Sequence, residues 1–170
     1  GSIIFYRTSI ESKYLAYDEI IHCKPHTDRV MGLAYDDQQQ YIYSCSTDKK
    51  FMLTDFNNVS NVSEVAESGF GYTALILDKP NERLFLTNEG GILSVFSTNN
   101  FPPMLITVVQ THTSNNIRAL DIDFHKQYIF TGTLKGDISI LDLGMPGKEK
   151  LIKEISYFGA DLQLRIIRYN

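Results

Sequence analysis

Residues 30–36 read Val-Met-Gly-Leu-Ala-Tyr-Asp, and this run of apolar residues closed by an aspartate returns twice along the chain. It recurs as Tyr-Thr-Ala-Leu-Ile-Leu-Asp at 72–78 and as Ile-Arg-Ala-Leu-Asp-Ile-Asp at 117–123. The first apolar residue, the leucine and the closing aspartate keep one spacing, 42 and then 45 residues (36 to 78 to 123 for the aspartates). Chance would not hold several positions in register, so the chain is predicted to be a repeat protein.

Each repeat contains short runs of alternating apolar and polar residues, separated by polar turn residues, which is the signal for strands and hairpins. In the first repeat these runs are 29–35, 41–46 and 51–56, and a linking strand follows at 62–67. Four short strands within a period in the low forties are what one β-propeller blade requires. We therefore predict an all-β fold, a propeller fragment of about three complete four-stranded blades with partial blades at its ends.

The predicted segment runs from residue 3 to 170, because Gly1-Ser2 resembles the scar of tag removal. The repeats are expected at approximately 26–67, 68–110 and 112–156, with partial blades at 3–25 and 157–170. A blade buries its apolar faces only against neighbouring blades, so an open arc exposes both of its ends. We expect the truncated arc to self-associate, with two copies closing on each other or exchanging terminal strands.

Composition and charge exclude several classes of protein and of binding partner. With 43% apolar and 21% charged residues, the chain fits neither a disordered nor a membrane-spanning protein. Its net charge of −4 carries no acidic or basic block, so we expect no nucleic-acid partner and no direct membrane contact. Cys23 and Cys45, without a secretory signal, favour free thiols and a cytoplasmic location. Cys45 lies in an alternating strand and is predicted to be a core residue.

A metal site and a catalytic site are both disfavoured. His22-Cys-Lys-Pro-His26 offers three soft ligands, but a structural zinc site needs four, and the other histidines lie in a different repeat. The chain has no nucleophile elbow, no glycine-rich phosphate loop and no metalloprotease motif. We predict a non-enzymatic protein without metal or cofactor. A channel-type hydrolase, using carboxylates such as Asp121 and Asp123, is a second alternative, although the repeated aspartates more simply end strands.

The repeats resemble those of WD-repeat β-propellers, with degenerate sequences. His26 and His112 precede the first strand of their repeats, and Thr54-Asp55 and Leu141-Asp142 occupy the place of the Trp-Asp pair. The resemblance implies a hydrogen-bonded tetrad of His, Ser/Thr, Asp and Trp in each blade. Because the chain contains no tryptophan, no tetrad can be complete.

Individual repeats keep different parts of this tetrad. The first repeat keeps His26, Ser44 and Asp48. The third keeps His112 and Thr131, with Lys135 where the aspartate would be. Packing is therefore expected to stabilise these blades more than the tetrad does.

Several stretches are similar to the WD-repeat and FYVE-domain family. They are His26-Thr-Asp-Arg-Val30 with Ser46 to Phe51, Leu84-Phe-Leu with Gly91 to Phe96, and Ile129-Phe-Thr-Gly132 with Ile140-Leu-Asp142. In that family a FYVE zinc finger binds an endosomal phosphoinositide while the propeller recruits proteins. Two cysteines cannot build the eight-ligand site of that finger. The resemblance implies a protein-interaction scaffold, endosome-associated only as part of a longer protein.

The resemblance also implies a binding face, formed by the loops before the first strands and by the hairpins between the second and third strands. The residues transferred to this face are Asp28, Lys49, Lys50, Tyr72, Asn116 and Lys135. The lysines form either a small basic patch for an acidic partner or solvated turn residues. Tyr72 is either a packed strand residue or an exposed anchor. A phosphoinositide-binding propeller is the alternative function, disfavoured because Arg165 and Arg168 do not form the paired-arginine motif of that class.

Overall fold

The computed structural model describes residues 1–11, 14–112, 116–144 and 150–155. These residues form strands and one short 3₁₀ turn at Lys79–Asn81. Within the described ranges, no helix has the length and apolar character needed to cross a bilayer. The strands are β1 (Ile3–Glu11), β2 (Tyr14–Cys23), β3 (Val30–Asp36), β4 (Tyr41–Ser46), β5 (Lys50–Asp55), β6 (Val62–Glu67), β7 (Tyr72–Asp78), β8 (Arg83–Asn88), β9 (Ile92–Ser97), β10 (Met104–Gln110), β11 (Ile117–Asp123), β12 (Tyr128–Thr133), β13 (Ile138–Asp142) and β14 (Lys150–Ile155).

Consecutive strands pair into three four-stranded antiparallel sheets, β3 to β6, β7 to β10 and β11 to β14, while β1 and β2 form a separate hairpin. We call the sheets blades 1, 2 and 3. The first strand of blade 2, β7, contacts the first strands of both neighbours, β3 and β11, and the fourth strands are the outer edges. The predicted all-β propeller fold is confirmed. The tail predicted as a partial blade at 157–170 lies outside the described residues.

The three blades share one irregularity, a register shift near the start of the first strand. It falls between Val30 and Gly32 in blade 1, and at the equivalent positions of β7 and β11. Gly32 is required there because a Cβ on it would lie 2.6 Å from the Cβ of Leu75 in blade 2. The repeat therefore extends to the places where adjacent blades approach most closely.

The hydrophobic cores lie between the sheets. In β8, Leu84 and Leu86 pack toward blade 1, whereas Phe85, between them, packs toward blade 3. Successive side chains of a strand point to opposite faces, so the middle blade contributes to two cores at once. Cys45 is fully buried in the first of them, and burial raises the pKa of its thiol to about 12, which confirms it as a core residue.

The repeated aspartates end strands, as predicted, and the hydrogen bonds show how. Asp36 accepts the backbone N–H groups of Gln38 and Gln39 through one carboxylate oxygen. Asp123 binds the N–H groups two and three residues further on in the same way. Both carboxylates therefore hold a turn, the usual role of aspartate after a strand.

Candidate interaction surface

Blade 1 contains three members of the tetrad, joined as the resemblance implies. His26 is 2% exposed, and its Nε2 lies 2.9 Å from the hydroxyl of Ser44. Its Nδ1 lies 3.0 Å from Oδ2 of Asp48, which also accepts the backbone N–H of Thr27. A carboxylate only accepts, so Nδ1–H donates to Asp48 and Nε2 accepts from Ser44. This network joins the loop before β3 to the turn between β4 and β5.

Burial decides the charge state of the histidine. Burial lowers the pKa of His26 below its usual value, and the nearby Asp48 charge only partly opposes this. Burial would raise the pKa of Asp48, but hydrogen bonds from Thr27 and Lys50 and the contact with His26 lower it below the ordinary range. A neutral imidazole beside a charged carboxylate is therefore the arrangement at neutral pH.

The fourth tetrad position is not replaced by an equivalent donor. Thr54 stands at the tryptophan position, and its Oγ1 is buried with no hydrogen-bond partner in the described part of the chain. In blade 3, His112 Nε2 lies 2.9 Å from the Thr131 hydroxyl, so the two residues predicted there do meet. The tetrad is thus three-membered in blade 1.

No metal centre is found among the described residues, which bring no three His, Cys, Asp or Glu side chains together. Both ring nitrogens of His26 are used by Ser44 and Asp48. A metal ion would therefore have to displace the bonds that hold the loop to the turn.

The loops predicted to form the binding face meet at one end of all three blades. In each blade, the backbone N–H of a turn residue donates to the carbonyl of the residue before the first strand. The three bonds are Thr47 to Arg29 at 3.0 Å, Glu89 to Gly71 at 2.9 Å and Leu134 to Asn116 at 3.2 Å. We call this end the upper face. It comprises residues 27–29 and 47–49 of blade 1, 68–71 and 89–91 of blade 2, and 116 and 134–136 of blade 3.

The structure places four of the six predicted residues at the upper face. Asp28, Lys49 and Lys135 are exposed there, and Asn116 is half-buried. Lys49 has a φ of 73°, in the left-handed region, which turns the chain into β5. An exposed face with both charge signs is suited to polar contacts at the rim of an interface.

The other two predicted residues do not contribute exposed groups of this kind. Lys50 opens β5 and forms an ion pair with Glu64 of β6, which raises the pKa of its ammonium group. Tyr72 is only 3% exposed and belongs to the core between blades 1 and 2. Of the two interpretations of Tyr72, the packed one is therefore correct.

The exposed aromatic residue of the upper face is Phe70, which sequence reasoning missed. Its side chain is 51% exposed, and a Cβ on Gly90 would lie 2.5 Å from its ring. The ring therefore lies across the β8–β9 turn of the same blade. The signal was present in the loop Ser-Gly-Phe-Gly at 68–71, where an aromatic stands between two glycines outside any strand.

An ion pair that sequence reasoning also missed joins blades 2 and 3 at the upper face. Arg118 of β11 lies 3.2 Å from a carboxylate oxygen of Glu89, in the β8–β9 turn. The pair crosses from one blade to the next, a geometry that spacing within a repeat does not reveal. Phe70 and this ion pair make blade 2 the centre of the upper face.

The opposite end also exposes apolar surface. Phe124, at the turn after β11, is 50% exposed, and Leu33 of β3 is 47% exposed. They line one cavity with Leu75 and Leu77, on the inner strands. Phe101, in the β9–β10 loop at this end, is also exposed, at 60%. Phe70 at the upper face and Phe124 at the opposite end, which are exposed to the same extent, offer a matched pair for experiments.

Comparison with known proteins agrees with this architecture. A family model described as "WD domain, G-beta repeat" matches residues 18–55. The chain is 28% identical over 120 residues to the WD repeat and FYVE domain-containing protein 2 of Caenorhabditis briggsae, covering 70% of this chain and 28% of the relative. It is 26% identical over 140 residues to the protein of that name from Caenorhabditis elegans, covering 82% and 32%. The chain thus spans about a third of the length of these relatives.

Solved structures share the fold. The crystal structure of the computationally designed Ika4 protein matches with a TM-score of 0.68 at 16% identity, over 87% of this chain and 84% of the other. The designed Ika8 protein matches with a TM-score of 0.71 at 14% identity, over 96% and 52%. Residues 18–55 thus match a WD repeat, and the three equivalent four-stranded sheets give the described part of the chain the fold of β-propeller blades.

Proposed function

We propose that this chain is a non-enzymatic protein-interaction scaffold that binds a partner protein through the upper face. The observation that carries the proposal is the position of Phe70. It is a half-exposed aromatic in the middle blade, with exposed lysines at the same end of the blades on either side. Aromatic residues at the centre of a surface with a polar rim dominate the binding energy of many interfaces.

The loops and turns of the upper face around Phe70 are held by hydrogen bonds, which favours binding. Each turn of the upper face is hydrogen-bonded to the neighbouring loop, and in blade 1 the buried His26–Asp48 network adds a second tie. Loops held by such bonds lose little conformational entropy when a partner docks.

The face carries both charge signs, and its two exposed lysines can contact acidic groups of a partner. Lys49 and Lys135 are exposed and form no ion pair among the residues that the structure describes. Between them, Arg118 is already neutralised by Glu89. Two unpaired cations on either side of an aromatic suit a peptide with carboxylates flanking an apolar residue.

We further propose that the segment supplies protein binding within a longer protein of endosomal or trafficking assemblies. The names of the two worm relatives join WD repeats to a FYVE domain, and this chain matches about a third of their length. The absence of catalysis is part of the proposal. It is supported by Asp36 and Asp123, whose carboxylates hold turns instead of converging on a shared cavity.

The proposal is tested with the matched pair of exposed phenylalanines, Phe70 and Phe124. The chain and its Phe70→Asp and Phe124→Asp variants are immobilised, and proteins retained from cytosolic extract are quantified by mass spectrometry. We expect Phe70→Asp to reduce retention of specific partners about thirtyfold, the effect of losing a central aromatic anchor. Phe124→Asp should leave retention unchanged. Equal losses in both variants, or none in Phe70→Asp, would contradict binding at the upper face.

A further inference from the structure

The three outer strands are structurally equivalent, yet one of them differs in charge. β6 (Val-Ser-Glu-Val-Ala-Glu) and β14 (Lys-Leu-Ile-Lys-Glu-Ile) each carry charged side chains. β10 (Met-Leu-Ile-Thr-Val-Val-Gln) carries none. Charges on an edge strand prevent another chain from pairing with its unpaired N–H and C=O groups. β10 lacks this protection although it is the edge of its sheet.

The apolar side chains of β10 are exposed. Met104 is 59%, Leu105 54% and Val108 52% exposed. Leu105 pairs with Phe96 and Val108 with Ser94, and these partners are two residues apart in β9. Leu105 and Val108 therefore point to the same side of the blade, because side chains of a strand alternate. The register shift between Leu105 and Thr107 produces this alignment.

A groove between blades 1 and 2 begins at these two residues. A cavity of about 200 Å³ is lined by Leu105 and Val108, by Tyr72 and Phe96 of the core, and by Ala66 and Glu67 of β6. Its wall on the blade 1 side ends in the exposed carboxylate of Glu67. Glu67 lies opposite Lys50 of β5, but the ammonium group of Lys50 forms its ion pair with Glu64. The groove is thus apolar along β10 and acidic at its far wall.

We propose that the outer edge of β10 binds an extended peptide that carries an apolar residue and, two residues further on, a basic one, because side chains two residues apart in a strand point to the same side. The peptide adds a fifth strand to blade 2, and its backbone pairs with the unpaired backbone groups of β10. Its apolar side chain enters the groove beside Leu105 and Val108, and its basic side chain reaches Glu67. In strand addition the main-chain bonds supply affinity, while pockets for alternate side chains supply specificity. The site is separate from the upper face.

The test uses a fluorescent seven-residue peptide in which valine and lysine alternate at every second position, with serine between them, so that both side chains lie on one side of the strand. It is titrated with the whole chain and followed by polarisation. Val108→Lys and Leu105→Lys change side chains that are already half-exposed, so both variants should fold. We expect each to weaken binding at least about tenfold. Ile152→Lys on β14, where Ile152 is 51% exposed, is the matched control and should bind like the parent chain.

The charge preference is tested separately. Glu67→Gln should weaken binding of the lysine peptide about threefold, the size of one exposed charge contact. A peptide with glutamate in place of lysine should bind at least about tenfold more weakly to the parent chain.

The outcomes that would overturn the proposal are distinct. They are unchanged binding to Val108→Lys, an equal loss in Ile152→Lys, or indifference to the charge of the peptide. A second copy of the chain on this edge would also overturn it. Sedimentation would then show a dimer that Val108→Lys dissociates and that excludes the peptide.

Discussion

Blades 1 and 2 have the same four strands and the same register shift, but they are stabilised by different polar groups. In blade 1, neutral His26 joins the loop before β3 to β4 and to the β4–β5 turn, through hydrogen bonds with Ser44 and Asp48. In blade 2 the corresponding positions are Ser68, Leu86 and Gly90, so the three-membered network is absent. Ser68 instead accepts a hydrogen bond from the side-chain amide of Asn88, at 3.0 Å. Blade 2 instead contains Arg83, which is 2% exposed and extends toward blade 3.

Arg83 forms contacts in both blades. Its guanidinium lies 3.2 Å from a carboxylate oxygen of Asp78 and 3.3 Å from the carbonyl of Leu143 in blade 3. It also donates to the side-chain carbonyl of Gln127 and lies over the ring of Phe85. The position opposite the strand-ending aspartate is Tyr41 in blade 1 and Tyr128 in blade 3. Blade 2, which lacks the tetrad residues, is thus joined to blade 3 by a buried charge.

The largest predicted effect comes from removing that charge. Arg83→Met leaves Asp78 buried without its cation, and we expect a loss of about 3–5 kcal/mol in the free energy of unfolding. Urea denaturation measures this. Asp78→Leu combined with Arg83→Met should recover most of the loss, because no uncompensated charge remains.

Arg118→Met is the matched control, since its ion pair with Glu89 is partly exposed. It should cost less than about 1 kcal/mol. If Arg118→Met is as destabilising as Arg83→Met, burial is not what makes the Arg83 contact important.

Removing the His26 network of blade 1 should destabilise the chain less than Arg83→Met does. His26→Ala removes one imidazole and leaves Ser44 and Asp48 without their shared partner, so we expect a loss of about 2 kcal/mol. His125 is exposed, and His125→Ala should lie within about 0.5 kcal/mol of the parent chain. Chemical denaturation of both variants tests this, and equal stabilities would show that the tetrad residues contribute nothing.

The same histidine predicts how stability changes with pH. The folded-state pKa of His26 is below its unfolded value of 6.5, so the unfolded chain binds more protons as the pH falls through that value. Stability is then lost on acidification and continues to fall toward the lower folded pKa. The lowered pKa of Asp48 adds a further loss below its ordinary value of 3.8. Urea midpoints near pH 7.5 and pH 5.5 should differ less in His26→Ala than in the parent chain; an identical difference would contradict this assignment.

The smallest predicted effect concerns Thr54, which occupies the position of the absent tryptophan in blade 1. Thr54→Val keeps the shape of the side chain and removes a buried hydroxyl oxygen that has no partner among the described residues. We expect a gain of about 1 kcal/mol, the cost of an unsatisfied buried polar atom. Thermal unfolding detects the change, and Thr54→Ser, which keeps the hydroxyl, should show no gain.

Sequence reasoning predicted the strands and the blade pattern because these depend on spacing within a repeat, and the resemblance to WD repeats implied the His26 network. It placed the first strand of blade 1 at 29–35, one residue before the observed Val30–Asp36. Arg83 was not predicted, because its partners lie in another repeat. Tyr72 was proposed for the binding face, whereas Phe70, two residues earlier, carries the exposed ring. Strand alternation predicts which residue a sheet buries, but not which loop residue it leaves exposed.

The expected self-association of the arc stays a prediction. Sedimentation across a concentration range tests it, and a species of twice the chain mass would support it. A monomer at every concentration would contradict it.

Cross-linking mass spectrometry of the chain bound to its captured partner tests the central claim most directly. Lys49 and Lys135 lie at the upper face, and Lys79 and Lys126 lie at the opposite ends of the strands. If the chain is a scaffold that binds through the upper face, cross-links to the partner should involve Lys49 and Lys135 and disappear in Phe70→Asp. Cross-links concentrated on Lys79 and Lys126, and retained in that variant, would contradict the proposed function.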